Sequence, residues 1–101
     1  MSRRLEQMRA LVQAHPENPL ARYSLALEQK KTDLPGALLT FADLMARHPS
    51  YVATYFHYGQ ALVAAGEDEK AKAVYEAGLQ VANAAGDAHA ASELQGALDL
   101  L

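Results

Sequence analysis

Apolar residues recur along this chain at the three- or four-residue spacing of an α-helix. At about 100° per residue, one stripe of the segment 55–64 contains Tyr55, Tyr58, Gly59 and Leu62. The other side of the same segment contains Phe56, His57, Gln60, Val63 and Ala64. Near the end of the chain a further apolar stripe contains Ala91, Leu94, Leu98 and Leu101, and it is broadened by Ala90, Ala97 and Leu100. The pattern predicts amphipathic helices that each bury one face.

The pattern repeats with a period of 33 or 34 residues. At a spacing of 33, Phe41, Leu44, His48 and Pro49 repeat Met8, Leu11, His15 and Pro16. At a spacing of 34, Ala71, Tyr75 and Gly78 repeat Ala37, Phe41 and Leu44. A fixed period of this length is typical of a chain built from stacked supersecondary units.

Residues that begin and end helices divide each period into helix, turn and helix. Asp33 is expected to cap the N-terminus of a helix, with Pro35 in its first turn, where a missing N–H costs little. Gly66 is expected to end a helix, and a last helix is expected to start at Gly86 and Asp87. Since Pro follows His15 and His48, we expect both histidines near helix C-termini.

Composition narrows the class of protein further. The 101 residues fit one domain, and the absence of Ile beside abundant Ala and Leu favours helix over sheet. The formal net charge of -3 argues against nucleic acid or an anionic membrane as the partner. The chain has no cysteine, which excludes disulfides and thiol chemistry. Because no apolar run follows the initial "SRRL", we expect no signal peptide, no membrane span and a cytoplasmic protein.

Motifs of catalysis are absent from the sequence. It contains no glycine-rich phosphate loop, H-E-x-x-H or G-x-S-x-G. The repeated positions of His15 and His48 indicate a structural role. His89 and Glu93, four positions apart, are interpreted as a surface hydrogen bond rather than half of a metal site. We therefore expect no catalysis, no metal and no cofactor.

The repeat resembles the tetratricopeptide repeat (TPR), with its signature W-x2-L-G-x2-Y, then A-x3-F, then P. The second unit reads Tyr55-x2-Tyr58-Gly59-x2-Leu62, then Ala71-x3-Tyr75. The first unit reads Arg22-x2-Leu25-Ala26-x2-Gln29, then Ala37-x3-Phe41, then Pro49. Arg22 and Gln29 replace aromatic residues, and Asn83 replaces the closing proline.

The resemblance implies an all-α fold, an α-solenoid of antiparallel helix hairpins. It suggests a single domain over residues 1–101, with about two TPR units between flanking elements. We expect an N-terminal helix as a half-unit in 1–18, repeat 1 in 19–51, repeat 2 in 52–85, and a C-terminal capping helix in 86–101.

The resemblance also implies a binding surface, because the first helix of each TPR pair lines a concave groove. The expected partner-binding groove contains Tyr23, Leu27, Lys30, Lys31, Phe56, His57 and Gln60. For Phe56, packing against a neighbouring helix is an equally good interpretation. His57 is interpreted as a polar groove residue rather than a base, and the two lysines as solvated charges. The asparagines of the family's carboxylate clamp are missing, so we do not expect binding of a chaperone C-terminal carboxylate.

Two functions follow from the resemblance. The first is a protein–protein interaction module or scaffold that binds a peptide segment or helix of another protein in the groove. The alternative is a self-assembling structural protein whose groove or C-terminal helix is buried in a homodimer. For that helix, a cap that turns Glu93, Gln95 and Asp99 to water is favoured over a dimer contact.

Overall fold

The computed structural model describes residues 3–101, and this range is helical without any strand. Its helices are α1 (Arg3–Ala14), α2 (Pro19–Thr32), α3 (Leu34–Arg47), α4 (Ala53–Ala64), α5 (Asp68–Ala85) and α6 (Ala88–Asp99). Helix α2 packs against α3, and α4 packs against α5, so the predicted hairpins are present and the fold is an all-α helical repeat. None of these helices is both long and apolar enough to cross a lipid bilayer.

Side-chain acceptors cap the N-termini of α3 and α6. Asp33 accepts a hydrogen bond from the backbone N–H of Gly36 at 3.0 Å, at the start of α3. Asp87 accepts one from the backbone N–H of Ala90 at 3.0 Å, at the start of α6. Each carboxylate satisfies a donor that the helix itself leaves without an acceptor. The predicted cap at Asp33 and the predicted start at Asp87 are therefore confirmed.

Glycine ends both helices of the second hairpin. Gly66 and Gly86 follow α4 and α5 with φ angles of +79° and +70°, a left-handed conformation that favours glycine. After α4, the backbone N–H of Glu67 donates to the carbonyl of Leu62 at 2.8 Å. After α5, the N–H of Asp87 donates to the carbonyl of Ala82 at 2.9 Å. These bonds reverse the chain direction at the end of each helix.

The helices form two compact units, one ending at His48 and the other covering Pro49–Leu101. In the first unit, α2 packs against both α1 and α3. Ala26 on α2 and Ala37 on α3 are fully buried, which allows the two helix backbones to approach closely. Phe41 and Leu44 fill the remaining core on the α3 side. Small residues at the crossing thus leave space for large ones beside it.

In the second unit, α5 packs against α4 and α6, and α6 also contacts α4. A Cβ atom on Gly59 of α4 would lie 2.1 Å from Cε1 of Tyr75, and one on Gly78 of α5 would lie 2.4 Å from Cβ of Tyr55. Each helix therefore packs a tyrosine onto a glycine of the other. Tyr55 is 3% exposed, as its place in the core stripe predicts, whereas Tyr58 of the same stripe is only half-buried.

Two polar residues of α2 occupy the buried positions at which the TPR signature has aromatic residues. The guanidinium of Arg22 donates to Oδ2 of Asp43 at 3.0 Å and to the carbonyl oxygen of Pro16. The amide oxygen of Gln29 accepts a hydrogen bond from the hydroxyl of Thr40 at 2.6 Å. Asp43 and Thr40 belong to α3, so hydrogen bonds between the helices replace part of the aromatic packing.

Candidate functional site

A concavity in the second unit lies between α4, α5 and α6. It has a volume of about 730 Å³, in the range of about 300–1,000 Å³ that is common for ligand sites. Its lining is mainly hydrocarbon and consists of Phe56, Gln60, Val63, Ala64, Tyr75, Glu93, Gly96, Ala97, Leu100 and Leu101. We call this space the α4–α6 cavity.

The α4 wall of the cavity comes from the side of the helix opposite to its core stripe. Phe56, Gln60, Val63 and Ala64 are spaced so that they lie on one side of α4. Tyr55, one position before Phe56, points instead into the core. The ring of Phe56 is half-buried and Gln60 is exposed, so an apolar surface lies next to an accessible amide.

The α6 wall comes from residues at helical spacing, from Glu93 through Gly96 and Ala97 to Leu100. Leu94, which points away from this wall, is 1% exposed and belongs to the core. Leu100 is 89% exposed although it is a large apolar residue. Space in front of Gly96 is open, because a Cβ atom built there would meet no atom within 4 Å. The wall therefore combines an exposed leucine with a position where another chain could approach the backbone.

Charge within the cavity is limited. Among the described residues of the lining, Glu93 alone has a side chain that is charged at neutral pH. Its carboxylate is 46% exposed and lies 3.9 Å from Nε2 of His89, one turn earlier on α6. The Tyr75 hydroxyl is uncharged at neutral pH, and burial raises its pKa further. The site can supply apolar contact, an amide and one negative charge.

His57 does not belong to the lining, although it follows Phe56. The two rings meet edge to face, with centroids 5.4 Å apart and an angle of 85° between their planes. Such contacts favour one orientation of each ring. His57 thus lies beside the α4–α6 cavity and supports Phe56.

In the first unit, two of the predicted residues share a smaller depression between α1 and α2. It has a volume of about 350 Å³ and is lined by Arg4, Met8, Leu11, Ser24, Leu27, Glu28 and Lys31. Glu28 accepts hydrogen bonds from Nε of Arg4 at 2.8 Å and from Nζ of Lys31 at 3.2 Å. Burial alone would raise the pKa of the Glu28 carboxyl, but these two cations lower it below its ordinary value. Lys31 therefore already has a carboxylate partner within the unit, which it shares with Arg4.

Tyr23 and Lys30, the other predicted residues of α2, are half-buried and lie outside the lining of this depression. Burial lowers the pKa of the Lys30 ammonium group from its ordinary value. The predicted set thus divides by unit: Leu27 and Lys31 meet in the first, and Phe56 and Gln60 meet in the second.

Sequence reasoning missed the contribution of α6 to the cavity. From sequence, Ala97 and Leu100 widen an apolar stripe, which predicts a cap or a dimer contact. The signal was nevertheless present, since Glu93, Gly96, Ala97 and Leu100 follow the spacing of one helical face.

Groups suited to holding a metal ion are not found in the described range. Within residues 3–101, His, Asp and Glu side chains do not gather in threes. His89 and Glu93 are both on the surface, and their 3.9 Å separation is too long for a hydrogen bond. The expected surface hydrogen bond between them is therefore absent, and they form at most a weak ion pair.

Comparison with known proteins identifies the fold. The chain is similar to a tetratricopeptide repeat domain protein from Salinibacter ruber solved by NMR, with 38% identity, coverage of 82% of this chain and 85% of that chain, and a TM-score of 0.78. It is similar to a crystal structure of a tetratricopeptide repeat domain protein from the same organism, with 36% identity, coverage of 80% and 91%, and a TM-score of 0.76. A protein from Bordetella parapertussis, solved in solution, shows 25% identity, coverage of 98% and 87%, and a TM-score of 0.82.

No protein-family model matches the sequence, and no curated protein matches it significantly. The solved structures nevertheless share both sequence and fold with most of the chain. The repeat period of the sequence, the paired helices of the structure and these relatives all indicate the same family. The chain belongs to the tetratricopeptide repeat family.

Proposed function

We propose that this protein is an interaction module that binds a peptide segment or helix of another protein in the α4–α6 cavity. Domains of this family generally mediate contacts between proteins, which supports the broader part of the proposal. The main support for the proposal is the cavity itself. Its lining combines apolar side chains, namely Phe56, Val63 and Leu100, with the polar residues Gln60 and Glu93. Such combinations are typical of binding sites.

The proposed mechanism is recognition without chemistry. An apolar side chain of the partner would replace water in the cavity. Proteins of this fold are typically scaffolds without catalytic activity, and we propose the same for this chain. A cytoplasmic location stays a prediction from sequence.

The predicted groove residues of α2 form a second contact surface in this proposal. Leu27 and Lys31 border the depression of the first unit, and Tyr23 and Lys30 lie on the same helix. We retain them as a proposed second contact surface. The division into repeats at 19–51 and 52–85, with a half-unit before and a cap after them, is likewise part of the proposal.

A random-peptide phage library panned on the wild-type protein tests the proposal. We expect selected peptides that bind the wild type but not Phe56→Ala or Gly96→Leu, because the first change removes an apolar side chain from the lining and the second places a bulky side chain in the open space of the cavity. Leu39→Ala is the matched control, since Leu39 is a 74% exposed leucine on α3 outside the lining. Peptides that bind the Gly96→Leu variant as well as the wild type would contradict the cavity as the site.

Self-association is the second candidate function, because Leu100 and Val63 are exposed next to an apolar cavity. A second copy of the chain could cover them. Sedimentation velocity at two widely separated concentrations distinguishes the two functions. A dimer that forms at the higher concentration and is lost in Gly96→Leu supports self-association, whereas a monomer at both concentrations removes it.

A further inference from the structure

The two units differ strongly in charge. The second unit, Pro49–Leu101, contains seven carboxylate side chains and two lysines, which gives a formal net side-chain charge of -5. The unit that ends at His48 contains five carboxylate side chains and seven basic ones, a formal net charge of +2. The overall charge of -3 is therefore unevenly distributed, and the α4–α6 cavity lies in the acidic unit.

The negative charges of the second unit are accessible. All seven carboxylate residues are exposed, namely Glu67, Asp68, Glu69, Glu76, Asp87, Glu93 and Asp99. Lys70 is already paired with Glu67, with 3.0 Å between Nζ and Oε2. A net charge of one sign attracts an oppositely charged partner over a distance of about 10 Å at moderate ionic strength.

Charge inside the cavity has the same sign. Glu93 is on the α6 wall, one turn from Gly96 and Ala97, and the described lining contains no Lys, Arg or His. A ligand carboxylate in the cavity would meet Glu93, and no Lys or Arg of the described lining would balance its charge. A ligand cation beside Gly96 would instead find both open space and a carboxylate partner.

We propose that the occupant of the α4–α6 cavity is a cationic amphipathic segment of a partner protein, in which a bulky apolar side chain enters between Phe56 and Leu100 and a neighbouring Lys or Arg pairs with Glu93. This inference rests on the proposed function and adds a selectivity to it. The long alkyl stem of Lys or Arg suits this wall, because it packs on apolar surface while its charged end stays hydrated. Acidic segments are disfavoured by both the cavity and the surrounding unit.

The composition of the selected peptides tests the inference. Peptides from the library described above, counter-selected on Gly96→Leu, are sequenced after panning on the wild type and on Glu93→Lys. We expect the wild type to enrich an apolar residue accompanied by Lys or Arg and to deplete Asp and Glu. We expect Glu93→Lys to shift the selection towards Asp and Glu. Unchanged peptide composition on Glu93→Lys, or no excess of Lys and Arg on the wild type, would overturn the inference.

Affinity measurements on one selected cationic peptide sharpen the test. Fluorescence anisotropy should give a Kd that rises about two- to fivefold on Glu93→Gln, as expected for one partly exposed ion pair, and a difference that shrinks as salt is added. Asp99→Asn is the matched control, because Asp99 is an exposed carboxylate of α6 outside the lining. Equal losses for Glu93→Gln and Asp99→Asn would reject the specific pairing with Glu93.

Failure of the inference and failure of the proposed function give different results. Peptides that bind in a Gly96-dependent manner but show no charge preference leave the function intact and reject only the selectivity. If the wild type enriches no peptide over Gly96→Leu, both are rejected. A dimer of the free protein that Gly96→Leu abolishes would place a second copy in the cavity and also overturn the inference.

Discussion

Arg22 and Tyr55 lie at equivalent positions 33 residues apart and make equivalent hydrogen bonds. Arg22 donates to the carbonyl oxygen of Pro16, and Tyr55 donates to that of Pro49 at 2.5 Å. Both donors therefore reach back six residues across the turn that precedes their helix. A guanidinium in the first unit and a phenol hydroxyl in the second thus donate to the equivalent carbonyl of the preceding turn.

The hydrogen bond of Tyr55 predicts the effect of removing one hydroxyl. We expect Tyr55→Phe to lower the free energy of unfolding by about 1 kcal/mol, because the carbonyl of Pro49 loses its donor. Tyr75→Phe is the control, since this tyrosine is equally buried but its hydroxyl makes no hydrogen bond to another described residue. Urea unfolding followed by circular dichroism gives both values. Equal effects of the two changes would show that the bond to Pro49 contributes nothing.

The three glycines within the helices of the second unit predict opposite responses to alanine. Gly78→Ala should destabilise the protein by about 1–3 kcal/mol, because the new methyl group would overlap Cβ of Tyr55, which cannot move without its backbone. Gly59→Ala should also destabilise it, because the ring of Tyr75 occupies that space. Gly96→Ala should instead stabilise it by about 0.5–1 kcal/mol, since it gains helix propensity in open space. Thermal unfolding should give lower melting temperatures than the wild type for Gly78→Ala and Gly59→Ala, and a higher one for Gly96→Ala. A destabilised Gly96→Ala variant would contradict the open space in front of Gly96 on the α6 wall.

The hydrogen bond between Thr40 and the buried Gln29 predicts a strong coupling between two substitutions. Thr40→Val alone should cost about 1–3 kcal/mol, because the amide oxygen of Gln29 stays buried without its donor. Thr40→Val combined with Gln29→Leu should be closer to the wild type than either single variant, since both polar groups are then removed together. A double-mutant cycle in urea measures the coupling. Additive single effects would mean that the two side chains do not depend on each other.

Asp43 predicts how stability changes with pH. Loss of water contact alone would raise the pKa of its carboxyl, but hydrogen bonds from Arg47 and Arg22 and their charges lower it below its ordinary value. A lowered pKa in the folded state adds stability above the pKa of the unfolded chain, and this stability is lost as pH falls through the folded-state pKa. Asp43→Asn should therefore be less stable than the wild type near neutral pH, by up to about 1 kcal/mol.

The difference between the wild type and Asp43→Asn should vanish well below about pH 4, where the aspartate is also neutral. Unfolding midpoints measured across the acid range give the result. Glu17→Gln is the control, because the Glu17 carboxylate in the turn before α2 forms no ion pair with a described residue. A constant difference between the wild type and Asp43→Asn at every pH would contradict an ionised Asp43 as the cause.

The helical architecture could be predicted because its signals are local. Asp33 caps the helix that it was expected to cap, and Gly66 has the left-handed conformation that ends α4. The core position of Tyr55 follows from the angular spacing alone. In each case the interacting residues lie within a few positions of one another. The local sequence is therefore sufficient to predict the helix end or the buried face.

Contacts between helices were harder to predict. Arg22 and Gln29 depart visibly from the family signature, but their partners Asp43 and Thr40 are on a different helix. Leu100 was seen as part of a broad stripe, yet its exposure depends on how α6 packs on α4 and α5. Sequence spacing fixes the side of a helix on which a residue lies, whereas the packing of its neighbours decides whether that side is covered.

The open space in front of Gly96 also makes the cavity easy to observe. The sequence contains no cysteine, so Gly96→Cys would introduce a single thiol on the α6 wall. A polarity-sensitive dye attached there would have no competing attachment site, and its emission would respond when an occupant displaces water from around it. Binding could then be followed in real time with an unlabelled partner.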